Sequence, residues 1–380
     1  MKIIIAPDSF KESLNAKEVA EAIKQGFSRH LPHAHYLCIP MADGGEGTVN
    51  SLVDATKGHF ITTDVTGPIG NKATAQWGIL GDNTTAVIEM AQASGLHLVP
   101  THQRCPKVTT SYGTGELINA ALEKGVKKII LALGGSATND AGAGMLQALG
   151  AKLSDKEGRS LSFGGASLAK LVSIDLSLLN PNLNQVEIEI ACDVTNPLCG
   201  KQGASAIFGP QKGATLEDID LLDNALHHFG TYLEALTQRS LINIAGSGAA
   251  GGLAIPLLAF TTASLKPGIE LVAKAVELEK HLFDADFVIT GEGRMDSQSA
   301  QGKTPIGVAK LAKKYHLPVI ALVGGYLPDY GIVHQQGIDA VFSIVPGVST
   351  LSEALTYAQR NLSETAYNIA RLYSLSAKEK

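Results

Sequence analysis

The sequence has few cysteines and no pair of them at the spacing of a metal site. Cys38, Cys105, Cys192 and Cys199 are the only four in 380 residues, and no C-x-x-C occurs among them. Cysteine-based zinc sites and disulfide-stapled domains both need cysteines in sets, so neither class fits. We expect free thiols among apolar neighbours, which indicates a reducing, cytoplasmic compartment.

The sequence also lacks a basic region and a strongly apolar membrane span. It has 31 lysines and arginines against 36 aspartates and glutamates, a net charge of −5, with both signs mixed along the chain. No basic stripe is therefore available to neutralise a nucleic-acid backbone. Residues 240–265 carry no charge, but their glycines and Pro256 make a transmembrane helix a poor interpretation. We expect neither a nucleic-acid partner nor a membrane span.

Short apolar strands alternate with helices at the two ends of the chain. The patterns predict strands at residues 3–6, 36–39, 287–290, 319–323 and 340–345, with helices that include 13–30, 270–281, 305–315 and 352–373. This alternation is typical of an α/β fold in which a parallel sheet is covered on both faces. We expect a discontinuous doubly wound domain, residues 1–63 and 267–380, interrupted by a mixed α/β domain, residues 64–266.

Clusters that combine glycine with acids, hydroxyls or lysine follow several predicted strands. Open parallel sheets bind ligands at the carboxyl ends of their strands, where helix N-termini present N–H groups to anions. In chain order, the candidates are Asp8, Ser9 and Lys11; Asp43, Gly44, Gly45 and Glu46; Gly134, Gly135, Ser136, Thr138, Asn139 and Asp140; Asp193; and Gly291, Glu292, Gly293, Asp296 and Lys303.

Ordinary caps and turns also explain some of these residues. Ser9 or Ser13 could cap the first helix while Lys11 is solvated, and Asp193 could be a turn aspartate. A cap does not explain the many glycines beside Asp43, whose carboxylate could hold Mg²⁺. Residues 134–142 have the strand–glycine turn–helix layout of a backbone nest for phosphate, although a tight packed turn is the alternative.

Two stretches imitate nucleotide-binding motifs but fail in their context. Residues 246–251 match G-x-G-x-x-G, yet no compact βαβ unit surrounds them, so close backbone packing, or approach of a phosphate in another fold, is the better interpretation. Residues 302–304, Gly-Lys-Thr, resemble the end of a P-loop, but Ser297 stands where that motif needs glycine. Lys303 nevertheless lies at a predicted helix N-terminus, where a cation and free N–H groups suit a triphosphate.

The candidate clusters contain acids, lysines and glycine turns, and they contain no nucleophile–histidine–acid arrangement. This combination favours phosphoryl transfer. That reaction depends on positioning and charge neutralisation more than on covalent chemistry. Two alternatives remain. A nicotinamide-dependent oxidoreductase acting on a hydroxy acid would need residues 246–251 to bind a dinucleotide. A sugar-acid-sensing regulatory module would not turn over ATP.

Six stretches resemble signature sequences of the bacterial type I glycerate kinases, in the same order along the chain. They are residues 6–11 (APDSFK), 40–48 (PMADGGEGT), 133–140 (LGGSATND), 191–198 (ACDVTNPL), 208–213 (FGPQKG) and 290–305, which begins TGEG and ends GKTP. The resemblance implies a flavodoxin-like domain interrupted by a second α/β domain. It also implies ATP, Mg²⁺ and D-glycerate, with 2-phosphoglycerate as the usual product, in glycolate, glucarate or galactarate breakdown.

Residue chemistry then suggests roles for the candidates in a cleft between the two domains. Asp43 and Asp193 are the candidates for general base and Mg²⁺ ligand, in either order. Lys11 and Lys303 would neutralise the glycerate carboxylate or the transferred phosphate. Backbone donors would come from residues 134–138 and 291–293. The sequence leaves open the hydroxyl that is phosphorylated, the pathway and the oligomeric state.

Overall fold

A computed structural model of the chain describes residues 1–297 and 299–376. Their strands are β1 (Lys2–Ile5), β2 (His35–Cys38), β3 (His59–Thr66), β4 (Lys72–Ile79), β5 (Thr85–Glu89), β6 (Lys128–Ala132), β7 (Lys152–Ser154), β8 (Ser173–Asp175), β9 (Glu187–Ala191), β10 (Ser264–Lys266), β11 (Phe287–Met295), β12 (Val319–Tyr326) and β13 (Ala340–Ser343). Their α-helices are α1 (Ala16–Ser28), α2 (Thr48–Thr56), α3 (Ala91–Ser94), α4 (Tyr112–Glu123), α5 (Ala143–Ala148), α6 (Ala204–Phe208), α7 (Leu216–Thr237), α8 (Ile255–Phe260), α9 (Gly268–Ala275), α10 (Leu278–Leu282), α11 (Thr304–Lys313), α12 (Leu351–Thr356) and α13 (Ala358–Ser376).

Two compact units make up the chain, and both are discontinuous in sequence. Unit 1 contains residues 1–43, 50–57 and 267–380, and unit 2 contains residues 44–49 and 58–266. The predicted limit between residues 63 and 64 falls within β3, which belongs to unit 2.

Unit 1 is built on a five-stranded parallel sheet. The strand order is β13-β12-β11-β1-β2, and each neighbouring pair is parallel. Numbered within the unit, this is the order 2-1-3-4-5 of flavodoxin-like folds. Ile3, Ile4 and Ile5 are fully buried because β1 has a strand on each side and covered faces. The predicted doubly wound parallel sheet is confirmed.

Helix α1 shows how local sequence and packing agree in unit 1. Its N-cap Asn15 accepts a hydrogen bond from the N–H of Glu18, and the Glu18 carboxylate accepts one from the N–H of Asn15. This capping box fixes where the helix starts. Val19, Ile23 and Phe27 then lie on one face of the helix and join the apolar core.

Three predicted elements differ from the structure. The helix predicted at 270–281 is two helices, α9 and α10, because Glu277 has a left-handed φ of 51°. The helix predicted at 352–373 is also two, α12 and α13. Strand β11 continues past residue 290 to Met295 because its pairing with β12 continues to the end.

Unit 2 is built on a mixed six-stranded sheet of order β10-β9-β6-β5-β4-β3. Strands β3, β4 and β5 pair antiparallel, and β5, β6, β9 and β10 pair parallel. Its core surrounds the fully buried Trp77, whose Nε1–H donates to Thr63 Oγ1 at 2.9 Å. The predicted second domain of mixed α/β type is confirmed.

The structure also answers the question raised by the uncharged stretch at residues 240–265. Within residues 1–297 and 299–376, none of the helices combines the length and apolarity needed to cross a membrane. The only α-helix of that stretch is the short α8.

Candidate active site

The first cluster of polar groups in unit 1 lies where β1 ends and α11 begins. Asp8 follows β1 closely, and both of its carboxylate oxygens accept hydrogen bonds. The N–H of Ser9 donates to Oδ1 at 2.6 Å, and the hydroxyl of Thr304 donates to Oδ2 at 2.6 Å. The Asp8 N–H donates to Gly291 O at 2.9 Å. Three segments that are distant in sequence therefore meet at Asp8.

The electrostatics of Asp8 bring Asp43 into the same cluster. Burial, and next the negative charge of Asp43, raise the pKa of Asp8 to about 6, against the Thr304 and Ser9 hydrogen bonds and the Lys11 charge. Asp43 is half-buried and Lys11 is exposed. Two carboxylates that repel each other in this way form a site that a bound cation would stabilise.

Glu292 is a buried carboxylate of unit 1. It is 8% exposed, and its Oε1 has no hydrogen-bond partner among the described residues. Burial is the main cause that raises its pKa to about 7; the Ser299 side chain and the Lys303 charge oppose the rise, and Asp8 and Asp296 add to it. A buried carboxylate oxygen with no protein partner is available to a ligand.

The glycines beside Glu292 lie inside strand β11, beyond the predicted strand end at residue 290. Gly291 and Glu292 pair with Leu322 and Val323 of β12 inside strand β11. A Cβ atom on Gly291 would lie 2.1 Å from Leu322 O, so close contact of neighbouring strands requires glycine there. The predicted strand end at residue 290 is therefore wrong, and the role of residues 291–293 as backbone donors stays a prediction.

The two remaining candidates of unit 1 lie just beyond β11. Asp296 is buried, and its Oδ1 accepts a hydrogen bond from Ser299 N at 3.2 Å. Lys303 is half-buried at the N-cap position of α11, and its carbonyl accepts from Ile306 N at 3.0 Å. Lys303 thus places a positive charge beside the carboxylates and at a helix N-terminus.

Unit 2 brings two other predicted clusters together. Residues 134–140, here called the glycine loop, follow β6, and a Cβ atom on Gly134 would lie 2.9 Å from Gly45 Cα. The neighbouring residues Gly44 and Glu46 belong to the same segment, and Glu46 is exposed. The segment is tied down by Glu89, whose Oε1 accepts from Val49 N at 2.8 Å.

Asn139 and Asp140 anchor the glycine loop from inside. The carboxylate of Asp140 accepts from Ser111 N at 2.9 Å, Ser111 Oγ at 2.8 Å, Gly142 N at 3.2 Å and Gly144 N at 3.3 Å. Asn139 Nδ2 donates to Ser205 Oγ at 2.9 Å. Burial raises the pKa of Asp140. Both side chains are buried, so their visible role is to hold the loop.

Lys212 is a residue of this region that had no predicted role. It is 1% exposed, and its Nζ donates to Ser136 Oγ at 2.8 Å and to Thr138 O at 2.6 Å. Burial lowers its pKa to about 7, and Asp140 opposes that shift. Lys212 belongs to the family-like stretch FGPQKG, and this could have marked it as a candidate. It was passed over because a lysine between glycines in a turn is ordinarily solvated.

Asp193 lies in unit 2, just after β9, and its side chain is exposed. It is therefore in a different unit from Asp43. The strand-end position agrees with the prediction, and its role as base or metal ligand stays a prediction. Across residues 1–297 and 299–376, no group of three or more His, Cys, Asp or Glu side chains is placed to hold a metal ion.

The G-x-G-x-x-G stretch has a packing explanation. A Cβ atom on Gly248 would lie 2.2 Å from Pro197 O, and one on Gly251 would lie 2.2 Å from Thr138 O. The glycines thus allow backbone segments to touch, and the prediction of close packing is confirmed.

Comparison with known proteins gives one consistent result. A family model described as the glycerate kinase family matches residues 3–374. The chain is 56% identical over 372 residues to the glycerate kinase of Haemophilus influenzae, with 98% of each chain covered. It is 56% identical over 370 residues to the glycerate 2-kinase of Escherichia coli, with 97% of each covered. A crystal structure described as glycerate kinase 2 from Salmonella typhimurium superposes with a TM-score of 0.92 at 53% identity, covering 100% of this chain and 99% of that one.

Proposed function

The chain belongs to the glycerate kinase family, and we propose that it transfers the γ-phosphoryl group of ATP to D-glycerate, forming 2-phosphoglycerate. The resemblance seen in the sequence is confirmed along nearly the whole chain. The relative from Escherichia coli is named a glycerate 2-kinase, which favours the 2-hydroxyl as the acceptor. We further propose a cytoplasmic enzyme that serves organic-acid catabolism, in which glycolate, glucarate or galactarate is broken down.

The observation that carries a kinase function is the cluster at the carboxyl edge of the unit 1 sheet. The charges of Asp8 and Lys303 both act on Glu292 there, and the hydroxyl of Thr304 at the start of α11 donates a hydrogen bond to Asp8. A cation at a helix N-terminus beside carboxylates is suited to a polyphosphate and its metal ion.

The donor set of unit 1 fits Mg²⁺. This ion prefers oxygen ligands and is commonly held by one or two carboxylates together with substrate phosphates and water. Asp43 offers such a carboxylate next to Asp8, and their repulsion would be offset by a divalent cation. Asp193, exposed at the end of β9, is the alternative ligand. When bound, Mg²⁺ would neutralise charge on the phosphates.

The remaining roles follow from the chemistry of the reaction. The glycerate hydroxyl oxygen forms a bond to the γ-phosphorus, the bond from that phosphorus to the bridging oxygen breaks, and ADP leaves. Asp43 or Asp193 would accept the hydroxyl proton. Lys11 and Lys303 would bind the glycerate carboxylate or the phosphates, and the glycine loop would bind an anion through its N–H groups. That both units serve one reaction stays a prediction.

The test is direct product identification. The purified protein is incubated with ATP, Mg²⁺ and D-glycerate, and the phosphoglycerate isomer is identified by ³¹P NMR. Parallel samples contain L-glycerate, or EDTA in place of Mg²⁺. We expect 2-phosphoglycerate and ADP from the complete mixture alone. The 3-phospho isomer would correct the acceptor hydroxyl, and the absence of any phosphoglycerate would refute the proposal.

A further inference from the structure

Lys212 is a buried lysine that lacks an anionic partner. Its two hydrogen-bond acceptors, Ser136 Oγ and Thr138 O, are both neutral, and an ammonium group has three hydrogens to donate. Asp140 is the charged group whose field acts on it. The Asp140 carboxylate, however, already accepts four hydrogen bonds from Ser111, Gly142 and Gly144. In the described part of the chain, no carboxylate lies within ion-pair distance of Lys212.

A buried lysine without an anionic partner lowers the stability of the folded protein. Moving an ammonium ion out of water costs several kcal/mol even after relaxation, unless a charged partner repays it. The charge that acts on Lys212 is that of Asp140, which opposes the lowering of the Lys212 pKa without preventing it. A negatively charged ligand near the glycine loop would supply the missing partner.

The glycine loop presents the groups that such a ligand needs. The backbone N–H groups of three consecutive residues, Gly134, Gly135 and Ser136, have no acceptor among the described residues. Gly135 is exposed and has a left-handed φ of 69°, which is typical of a backbone nest that binds anions. The loop therefore carries free donors from the half-buried Gly134 through the exposed Gly135 to the buried Ser136, and Lys212 donates hydrogen bonds to Ser136 and Thr138.

From this arrangement we propose that Lys212 is the positioning residue of an anion site made by the N–H groups of residues 134–136. Its ammonium group fixes the conformation of the loop and adds positive potential behind it. This inference rests on the proposed function, and the ligand is an anionic oxygen of one substrate, either the carboxylate of D-glycerate or a phosphate of the nucleotide.

Binding measurements on variants test the assignment. Lys212→Met removes the charge and keeps an unbranched side chain. The control is Lys107→Met, also in unit 2, because Lys107 is partly exposed and paired with Asp218. Binding of D-glycerate and of ADP is measured separately by calorimetry, with thermal melts and steady-state kinetics alongside. We expect Lys212→Met to weaken one of the two ligands about tenfold or more and to leave the other nearly unchanged, whereas Lys107→Met should match the parent protein.

A lysine that only held the fold together would give a different pattern. Both ligands would then weaken together in step with a lower melting temperature, and that result would overturn the proposal, as would unchanged binding of both. The parent protein's failure to make phosphoglycerate would instead refute the proposed function itself.

If Lys212→Met does not fold, the parent protein and Ser136→Ala decide the question. Deprotonation of Lys212, whose pKa is about 7, removes the charge, so the parent's affinity for the affected anion should fall as the pH rises from 7 to 9. Ser136→Ala removes one Lys212 acceptor and should weaken the same ligand severalfold. Affinities that stay flat with pH and are unaffected by Ser136→Ala would overturn the inference.

Discussion

In unit 1 the carboxylates Asp8 and Glu292 at the carboxyl edge of the sheet have raised pKa values. Behind the glycine loop of unit 2, the buried Asp140 carboxylate accepts four hydrogen bonds, and the buried group without a charged partner is Lys212. Burial shifts each of them toward its neutral form, so it raises the pKa of Asp8 to about 6 and of Glu292 to about 7, and lowers that of Lys212 to about 7. The contrast shows two sites of opposite polarity. A cation would stabilise the charged state of the first, and an anion that of the second.

The strongest test of the difference between the two units is to neutralise one aspartate in each of them. Asp43→Asn and Asp193→Asn keep the side-chain volume and remove the charge. Loss of the general base should lower kcat by about 100-fold or more, with little change in melting temperature. Measuring kcat for both variants at saturating ATP, D-glycerate and Mg²⁺ shows which unit supplies the base. If both variants retain most of their turnover, neither aspartate is catalytic.

The second largest effect should come from removing Asp140, which anchors the glycine loop, and it should appear in the stability of the protein. Asp140→Ala leaves the N–H groups of Ser111, Gly142 and Gly144 without their acceptor. We expect the free energy of unfolding to fall by about 2 kcal/mol or more, because buried donors lose their partner. Urea unfolding measures this change, with Asp220→Ala on the exposed face of α7 as the control. Equal stability of the two variants would show that the anchor is dispensable.

Removing the charge of Lys303 in unit 1 should have the next largest effect, on the kinetics with ATP. Lys303→Ala removes the cation at the start of α11, which should raise KM for ATP and lower kcat, together about tenfold in kcat/KM, the range of one charge-assisted hydrogen bond. Lys310→Ala is the matched control, since Lys310 is exposed on the same helix. Unchanged kinetics for Lys303→Ala would make Lys303 an ordinary solvated lysine.

The smallest effect concerns the pH dependence of stability through Glu292. Its pKa is raised in the folded state, so the stability it contributes is full below its usual pKa and is lost as the pH rises through about 7. Between pH 6 and 8 the parent protein should lose about 1 kcal/mol of unfolding free energy through this group. Glu292→Gln should remove that part of the slope. An identical pH slope in both proteins would contradict the raised pKa.

Local sequence was sufficient for much of the fold. The alternation of apolar strands with amphipathic helices predicted the parallel sheet of unit 1, and Asn15 with Glu18 marks the start of α1. The break at Glu277 was missed because the apolar spacing continues across it, and only a left-handed φ separates α9 from α10. Periodicity reports which side chains are buried and does not report such a change in one backbone angle.

The sequence by itself determined which residues have the chemistry for the site. Glycine, acidic and lysine residues follow the strands, and this pattern predicted Asp8, Lys303 and the glycine loop as candidates. Only the tertiary structure decided which other residues these candidates contact. The Thr304 hydroxyl reaches Asp8 across 296 positions of sequence, and the pairing of β11 with β12 places Gly291 in a strand instead of a turn. Lys212 became a candidate only because the structure buries it against Ser136. The sequence shows that a lysine carries a positive charge. Whether that charge is buried depends on segments that come together only in the folded chain.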